Sequence, residues 1–190
     1  EGFLADLEDV AGGDIVILHS CCHNPSGIDL DQTAWEAIAT QAQAKNLICL
    51  VDFAYQGFGE GLEEDRAGLH VLLDAGLSVL IASSFSKNFG LYSERIGAIT
   101  VVEETANDAI NAFSHVQAAI RAIYSTPPAH GGKIVATILG DATLKALWIQ
   151  ELAEMRSRIK AMRHAFVQGM TDRQHVFDFD FINHQKGMFS

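Results

Sequence analysis

Positive charge is what this 190-residue chain has least of: 13 lysines and arginines stand against 24 aspartates and glutamates, a formal charge of −11. So acidic a chain opposes nucleic acid and anionic lipid, and neither is expected as a partner. Long apolar runs are missing too. The longest are strand-sized, far short of the ~20 residues that a membrane-crossing helix needs. Cysteine is scarce, at three residues; with no evident pairing it fits a reducing compartment, and a cytoplasmic location is expected. His19-x-Cys21-Cys22-His23 groups zinc-type ligands, but adjacent cysteines project apart and no second ligand pair follows at zinc spacing, so no metal is expected. Cys49 lies in an apolar run, where it behaves as a small hydrophobe. No internal repeat or low-complexity tract is visible. With 48% hydrophobic and 19% charged residues, the composition is that of an ordinary globular α/β protein.

Three short apolar runs each open into a polar segment. Ile15-Val16-Ile17-Leu18 precedes HSCCHNPSG, Leu47-Ile48-Cys49-Leu50-Val51 ends at Asp52 of DFAYQGF, and Val79-Leu80-Ile81-Ala82 precedes SSFSKNFGLYSER. Each resembles a buried parallel strand. Parallel strands share a carboxyl edge, so Asn24, Asp52 with Tyr55, and Lys87 should gather there. Around Lys87, Ser84 and Ser86 offer hydroxyls and Arg95 a bidentate fork, which suits a phosphate and leaves the lysine free for chemistry. Every one of these residues also has a plain structural use. Asp52 can cap a turn, Tyr55 can be a core aromatic, and Asn24-Pro25-Ser26-Gly27 is a turn in its own right. Taken together, an acid, a phenol, an amide, a lysine and an arginine match pyridoxal phosphate, whose ring nitrogen, ring oxygen, aldehyde and phosphate each need a different partner.

The rest of the chain reads as an α/β alternation. Thr33 and Glu36 form a T-x-x-E capping pattern, and Trp35, Ile38, Ala39 and Ala42 trace one helical face up to Asn46. A second helix is expected from Arg66 to Ala75, closed by Gly76, and Gly97 to Val102 reads as another strand. A helix over Ala106 to Tyr124 carries Arg121. Beyond Pro127-Pro128 and Gly131-Gly132, apolar residues from Leu144 to Phe166 at alternating spacings of four and three predict a long helix over Thr143 to Met170. Phe177 to Ile182 and Gly187 to Ser190 read as strands.

The segments HNPSG, DFAYQGF, SFSKNFGLYSERIGAITVV and AAIRAIYSTPPAHG identify the resemblance: in order and spacing the chain resembles class I aminotransferases of the aspartate and aromatic type, fold type I pyridoxal-phosphate enzymes. Serine stands at Ser26 where the family has threonine, which retains the hydroxyl. The resemblance implies an α/β fold, a mostly parallel sheet with helices on both faces. It also implies an antiparallel strand that sequence pattern does not locate, and a cis peptide before Pro25. It implies that Lys87 bonds covalently to the cofactor and then shuttles a proton, that Asp52 pairs with the ring nitrogen, and that Tyr55 and Asn24 hydrogen-bond the ring oxygen. Ser84, Ser86 and Arg95 would hold the phosphate. Arg121 would cross a homodimer interface to clasp the distal carboxylate of a dicarboxylic substrate in the neighbouring site.

By the same resemblance, residues 1–140 belong to a large cofactor domain, 141–172 to an interdomain helix and 173–190 to the start of a small domain. Both ends of the family's chain are then absent, with the phosphate-binding glycine segment, the stacking aromatic ring and the arginine for the substrate α-carboxylate. The implied activity belongs to a longer parent: ping-pong transfer of an amino group from aspartate, glutamate or an aromatic amino acid to a 2-oxo acid such as 2-oxoglutarate. A different pyridoxal-phosphate reaction, such as decarboxylation or elimination, and a non-catalytic fragment remain as alternatives.

Overall fold

Short β-compatible runs alternating with amphipathic stretches give the chain its architecture, and a computed structural model describes residues 2–173 and 176–188. In chain order the elements are α1 (Gly2–Glu8), β1 (Ile15–His19), α2 (Gln32–Lys45), β2 (Ile48–Phe53), α3 (Ala67–Asp74), β3 (Val79–Ser84), β4 (Gly97–Val102), α4 (Ala106–Tyr124), α5 (Ala129–Gly140) and α6 (Ala142–Asp172). The strands form one sheet in the order β1-β2-β3-β4. The first three are parallel, and β4 returns antiparallel to β3. β4 is therefore the antiparallel strand that sequence pattern left unplaced.

Register sets the core. Val16 pairs with Cys49 and Cys49 with Val79, and paired residues share a face. That face, with Leu18, Val51 and Phe53, packs beneath Trp35, Ile38, Ala39 and Ala42 of α2 and Leu69 and Leu72 of α3. Each such side chain, taken out of water, contributes on the order of 2 kcal/mol. On the opposite face α4 lies against β4, where Ile99 and Val101 share a hollow with Ile110 and Phe113. The expected α/β class, mostly parallel with helices on both faces, is what the chain adopts. β1 departs from expectation. It was expected to be buried, yet Ile15 and Ile17 are 60% and 61% exposed, because only its α2-side face is covered among the described residues.

Helix ends follow local chemistry. α2 is capped by Asp31, whose Oδ1 accepts from the Ala34 amide at 2.8 Å. The Thr33 and Glu36 pattern is thus overruled by an acid two positions upstream, better placed at the first free amides. At its other end Asn46 is left-handed and closes the last turn, as anticipated. α3 ends before Gly76 at φ +72°, the residue expected to stop it. α5 was not anticipated, since Gly131-Gly132 reads as a break. Gly131 instead permits a close approach: a Cβ there would lie 2.9 Å from Glu94 Cβ.

The strand expected over Phe177 to Ile182 is replaced by a short 3-10 turn, Asp180–His184. Asp178 Oδ1 accepts from the Asp180 amide and Asp180 Oδ1 from Asn183 Nδ2, both at 2.9 Å. These local bonds compete with a ladder that has no partner strand here among the described residues. Of the strand expected over Gly187 to Ser190, Gly187 and Met188 lie in a turn, and the last two residues lie outside the described ones.

Candidate active site

Three parallel strands deliver three loops to one edge. β2 lies between β1 and β3, and neighbouring strands are about 4.8 Å apart. Register pairs His19 with Asp52, and Asp52 with Ala82. The loops that follow carry Asn24, Tyr55 and Lys87 to one edge, where Lys87 reaches Tyr55.

Tyr55 is the centre of the group. It is 6% exposed, and its ring packs with Cys21, Cys22, Phe58 and Leu152, which ties the loops to α6. Lys87 Nζ stands 4.8 Å from the centre of that ring, within the range of a cation–π contact. Burial first, then the negative charges that Tyr92, Asp52 and Cys22 can carry, pushes the Tyr55 phenol above the ordinary phenol range. Lys87 thus reaches Tyr55 from the neighbouring loop, while Asp52 ends the strand that leads into Tyr55's own loop.

Asp52 Oδ1 accepts from the Ala54 amide at 2.7 Å, the turn-capping role open to any aspartate there. Oδ2 takes no hydrogen bond among the described residues and is available to a donor. Lys87 is half-buried and forms no ion pair among them. Ser84 Oγ accepts from the Ser86 amide at 3.2 Å, and Ser86 is buried. The Phe85 amide donates to the Ile96 carbonyl at 3.1 Å, and Ser84 pairs with Gly97. This continuation of the β3–β4 ladder brings Ile96, the residue after Arg95, back to Phe85, the residue before Ser86. Arg95 is left-handed, at φ +51°, and exposed, and its Nη1 is anchored on the Tyr92 carbonyl at 2.9 Å. Its remaining N–H groups and the two hydroxyls form a donor set of the kind that holds a phosphate.

Asn24 is exposed at the start of the first loop, and the peptide joining it to Pro25 is cis, as the resemblance implied. Ser26 Oγ meets His23 Nδ1 at 2.7 Å. Hydrogen bonding with Cys22 and burial push the Cys21 thiol up. Arg121 is not brought to this edge. It lies exposed in the last turn of α4, a helix with no buried residue and with Ile110, Phe113, Ile123 and Tyr124 open to solvent.

Sequence reasoning missed the groups that hold the edge together. Asn88, next to Lys87, is buried; its Nδ2 donates to the Gln56 carbonyl at 3.2 Å, and its own carbonyl accepts from Trp148 Nε1 at 2.7 Å. Trp148 stacks on Phe89, with ring centres 4.5 Å apart. Asp65 and Ser20 are also buried polar residues. The glycine alternation Gly57-Phe58-Gly59-Glu60-Gly61 ahead of Asp65 was the available signal.

Comparison with known proteins agrees with this geometry. The family model described as aminotransferase class I and II matches residues 1–190. The aspartate aminotransferase of Salmonella typhi is 49% identical over 190 residues, covering 100% of this chain and 48% of that protein. An aromatic-amino-acid aminotransferase of Pseudomonas aeruginosa is 44% identical with the same coverage. The crystal structure of an aromatic-amino-acid aminotransferase from Burkholderia pseudomallei, covalently bound to pyridoxal phosphate, superposes with a TM-score of 0.96 at 45% identity, covering 98% of this chain and 47% of that one. The chain spans about half the length of the curated relatives it matches.

Proposed function

This chain belongs to the class I and II aminotransferases, and from that premise we propose that its parent polypeptide transfers an amino group between an amino acid and a 2-oxo acid, with pyridoxal 5′-phosphate as cofactor. The observation that carries the reading is Lys87 Nζ over the Tyr55 ring at the carboxyl edge of the sheet, where Asp52 pairs with Ala82 of the strand that leads to Lys87. The donor set fits the cofactor group by group. A primary amine and a carboxylate oxygen that take no ion pair or hydrogen bond among the described residues, a phenol, and a serine and arginine cluster answer its aldehyde, ring nitrogen, ring oxygen and phosphate in turn.

Lys87 would hold the aldehyde and, as a free amine, move a proton at the substrate Cα. Asp52 would hold the ring nitrogen in its protonated form, since an adjacent carboxylate favours the cation. Tyr55 and Asn24 would orient the ring oxygen, and Ser84, Ser86 and Arg95 would fix the phosphate. When bound, pyridoxal phosphate supplies an electrophilic carbon and a ring that accepts the electron pair released at the substrate Cα.

Aspartate, glutamate or aromatic amino acids are the proposed donors and 2-oxoglutarate the proposed acceptor, in a ping-pong sequence. Arg121 would meet a substrate carboxylate in the partner site of a homodimer, because it is exposed and rides on a helix with an open apolar face. Residues 1–140 are assigned to the cofactor domain and 141–172 to the connecting helix, and 173–190 to the beginning of a small domain. Three free cysteines support a cytoplasmic parent.

The test is the parent polypeptide with and without Lys87→Ala. The unaltered protein should show visible absorption from the cofactor, a borohydride-fixed adduct on the Lys87 peptide, and stoichiometric amino transfer to 2-oxoglutarate. The variant should lose adduct and transfer together. An adduct that persists in the variant refutes the lysine assignment, and carbon dioxide release without amino transfer refutes the reaction.

A further inference from the structure

We propose that Asp65 is a positioning residue for the reaction, a buried residue whose carboxylate and backbone carbonyl together tie the three strand-end loops carrying the site; this rests on the function proposed above. Asp65 is 6% exposed, and no opposite charge neutralises it among the described residues. Backbone amides do so instead. Oδ2 accepts from Gly57 at 2.8 Å and Gly59 at 3.0 Å, and Oδ1 from Glu60 at 2.8 Å and Gly61 at 3.5 Å. A charged acceptor taking several amide donors is among the stronger arrangements available inside a protein. Gly59 is needed for it, since a Cβ there would lie 2.4 Å from Asp65 Oδ1.

This turn is the continuation of the loop that bears Tyr55. The Phe58 amide donates to the Tyr55 carbonyl at 3.0 Å, and the peptide between Gln56 and Gly57 has its two ends held by different partners. Its N–H is taken by Asp65, and its carbonyl by Asn88 Nδ2. Asn88 immediately follows Lys87, so a displaced Gln56 peptide displaces the lysine's own loop. The third loop is held from the other end of Asp65. Its backbone carbonyl accepts from Ser20 Oγ, and the Ser20 amide donates to the Asp52 carbonyl at 3.1 Å. Ser20 opens the loop that continues to Asn24. Asn24, Asp52 with Tyr55, and Lys87 are thereby referenced to one residue, through its carboxylate for the Tyr55 and Lys87 loops and through its backbone carbonyl for the Ser20 loop.

Asp65→Asn is the direct test, because the amide is nearly isosteric but turns an N–H toward donors. In the cofactor-free parent, amide exchange should accelerate about 100-fold at Gly57 to Gly61, the effect of removing charged hydrogen bonds. It should also accelerate at Asn88 to Gly90, while Cys49 and Val51 in the sheet stay protected. In the loaded parent, kcat should fall about tenfold with KM within about twofold. The pH at which the cofactor's visible band changes should move by roughly half a unit.

Faster exchange confined to the Gly57 to Asp65 segment, with band and kcat unchanged, would reduce Asp65 to a local staple and overturn the proposal. Should Asp65→Asn fail to fold, Ser20→Ala removes one tie and leaves the carboxylate in place. It must then accelerate exchange in the Cys21 to Asn24 segment and move the pH of the band change away from that of the unaltered parent, or the proposal falls. The exchange readout needs no cofactor, so a parent that proves not to bind pyridoxal phosphate would refute the function and still decide the coupling of the loops.

Discussion

The sheet beneath α2 and α3 and the loop edge at its carboxyl end are built by opposite means. Beneath the helices an apolar cluster runs from Val16 and Leu18 to Leu72 and Val79, and stability comes from removing area from water. At the edge the buried groups include Ser20, Asp65, Ser86 and Asn88, and position comes from hydrogen bonds to backbone groups of other loops. Apolar contact tolerates small shifts because it has no preferred direction. A hydrogen bond weakens steeply when its angle is lost, so the polar edge fixes orientation as well as distance. The contrast teaches where the chain invests in stability and where in geometry, and a change in either region should damage one property and spare the other.

The largest separation is expected from Asp52→Asn in the parent polypeptide. The amide oxygen can still accept from Ala54, so urea unfolding should shift by no more than about 1 kcal/mol. Without a charge for the ring nitrogen, kcat/KM for amino transfer should fall about 10³-fold. Equal losses of stability and activity would erase the contrast. Leu72→Ala is its mirror image. Leu72 is 0% exposed and sits under α3 against the sheet, so about 3 kcal/mol of stability should be lost, while kcat/KM of the molecules that remain folded stays within about twofold of the original.

Arg121→Ala probes a residue that belongs to neither region. On the reading that it serves a partner's site, loss of a bidentate fork should lower kcat/KM about 30-fold for aspartate and glutamate. It should change the value for phenylalanine by less than about threefold, with little effect on the urea midpoint because the side chain is exposed. A panel of these amino acids read at one acceptor concentration checks it, and a uniform loss across the panel would remove Arg121 from substrate selection.

Legibility followed the same division. The strands before Asp52 and Lys87, the α2 face, α4 and the long α6 could be read because apolar periodicity is written locally. The motif segments were legible as loops at one sheet edge, where Lys87 reaches Tyr55. Asp65 and Asn88 were not, because their partners are backbone groups 8 and 32 positions away, and a backbone amide leaves no mark in a sequence. Thr33 was taken for a cap that Asp31 supplies, since both offer an oxygen and only the path of the chain decides between them. α5 was hidden by a glycine pair whose purpose is close packing. The alternation around Phe177 reads as a strand, but a strand requires a neighbour that pattern alone does not provide.

Tyr55 straddles the two regions, its ring in an apolar cluster and its hydroxyl at the edge, and it yields the smallest and sharpest of these tests. Burial, followed by the negative charges of neighbouring groups, holds its phenol above the ordinary value. The folded protein therefore retains that proton to a higher pH than the unfolded chain. Below the ordinary phenol pKa of about 10, both states are protonated and the contribution is fully present. As pH rises further, the unfolded chain ionises first, and stability declines until the folded phenol also ionises. Tyr55→Phe keeps the ring, the apolar packing and the contact with Lys87 but removes the titrating proton. Urea midpoints of the parent measured from about pH 9 to about pH 11 should fall more steeply with tyrosine than with phenylalanine at this position. Parallel slopes would mean that the phenol is as well solvated as in the unfolded chain, and Tyr55 would then belong to the polar edge alone.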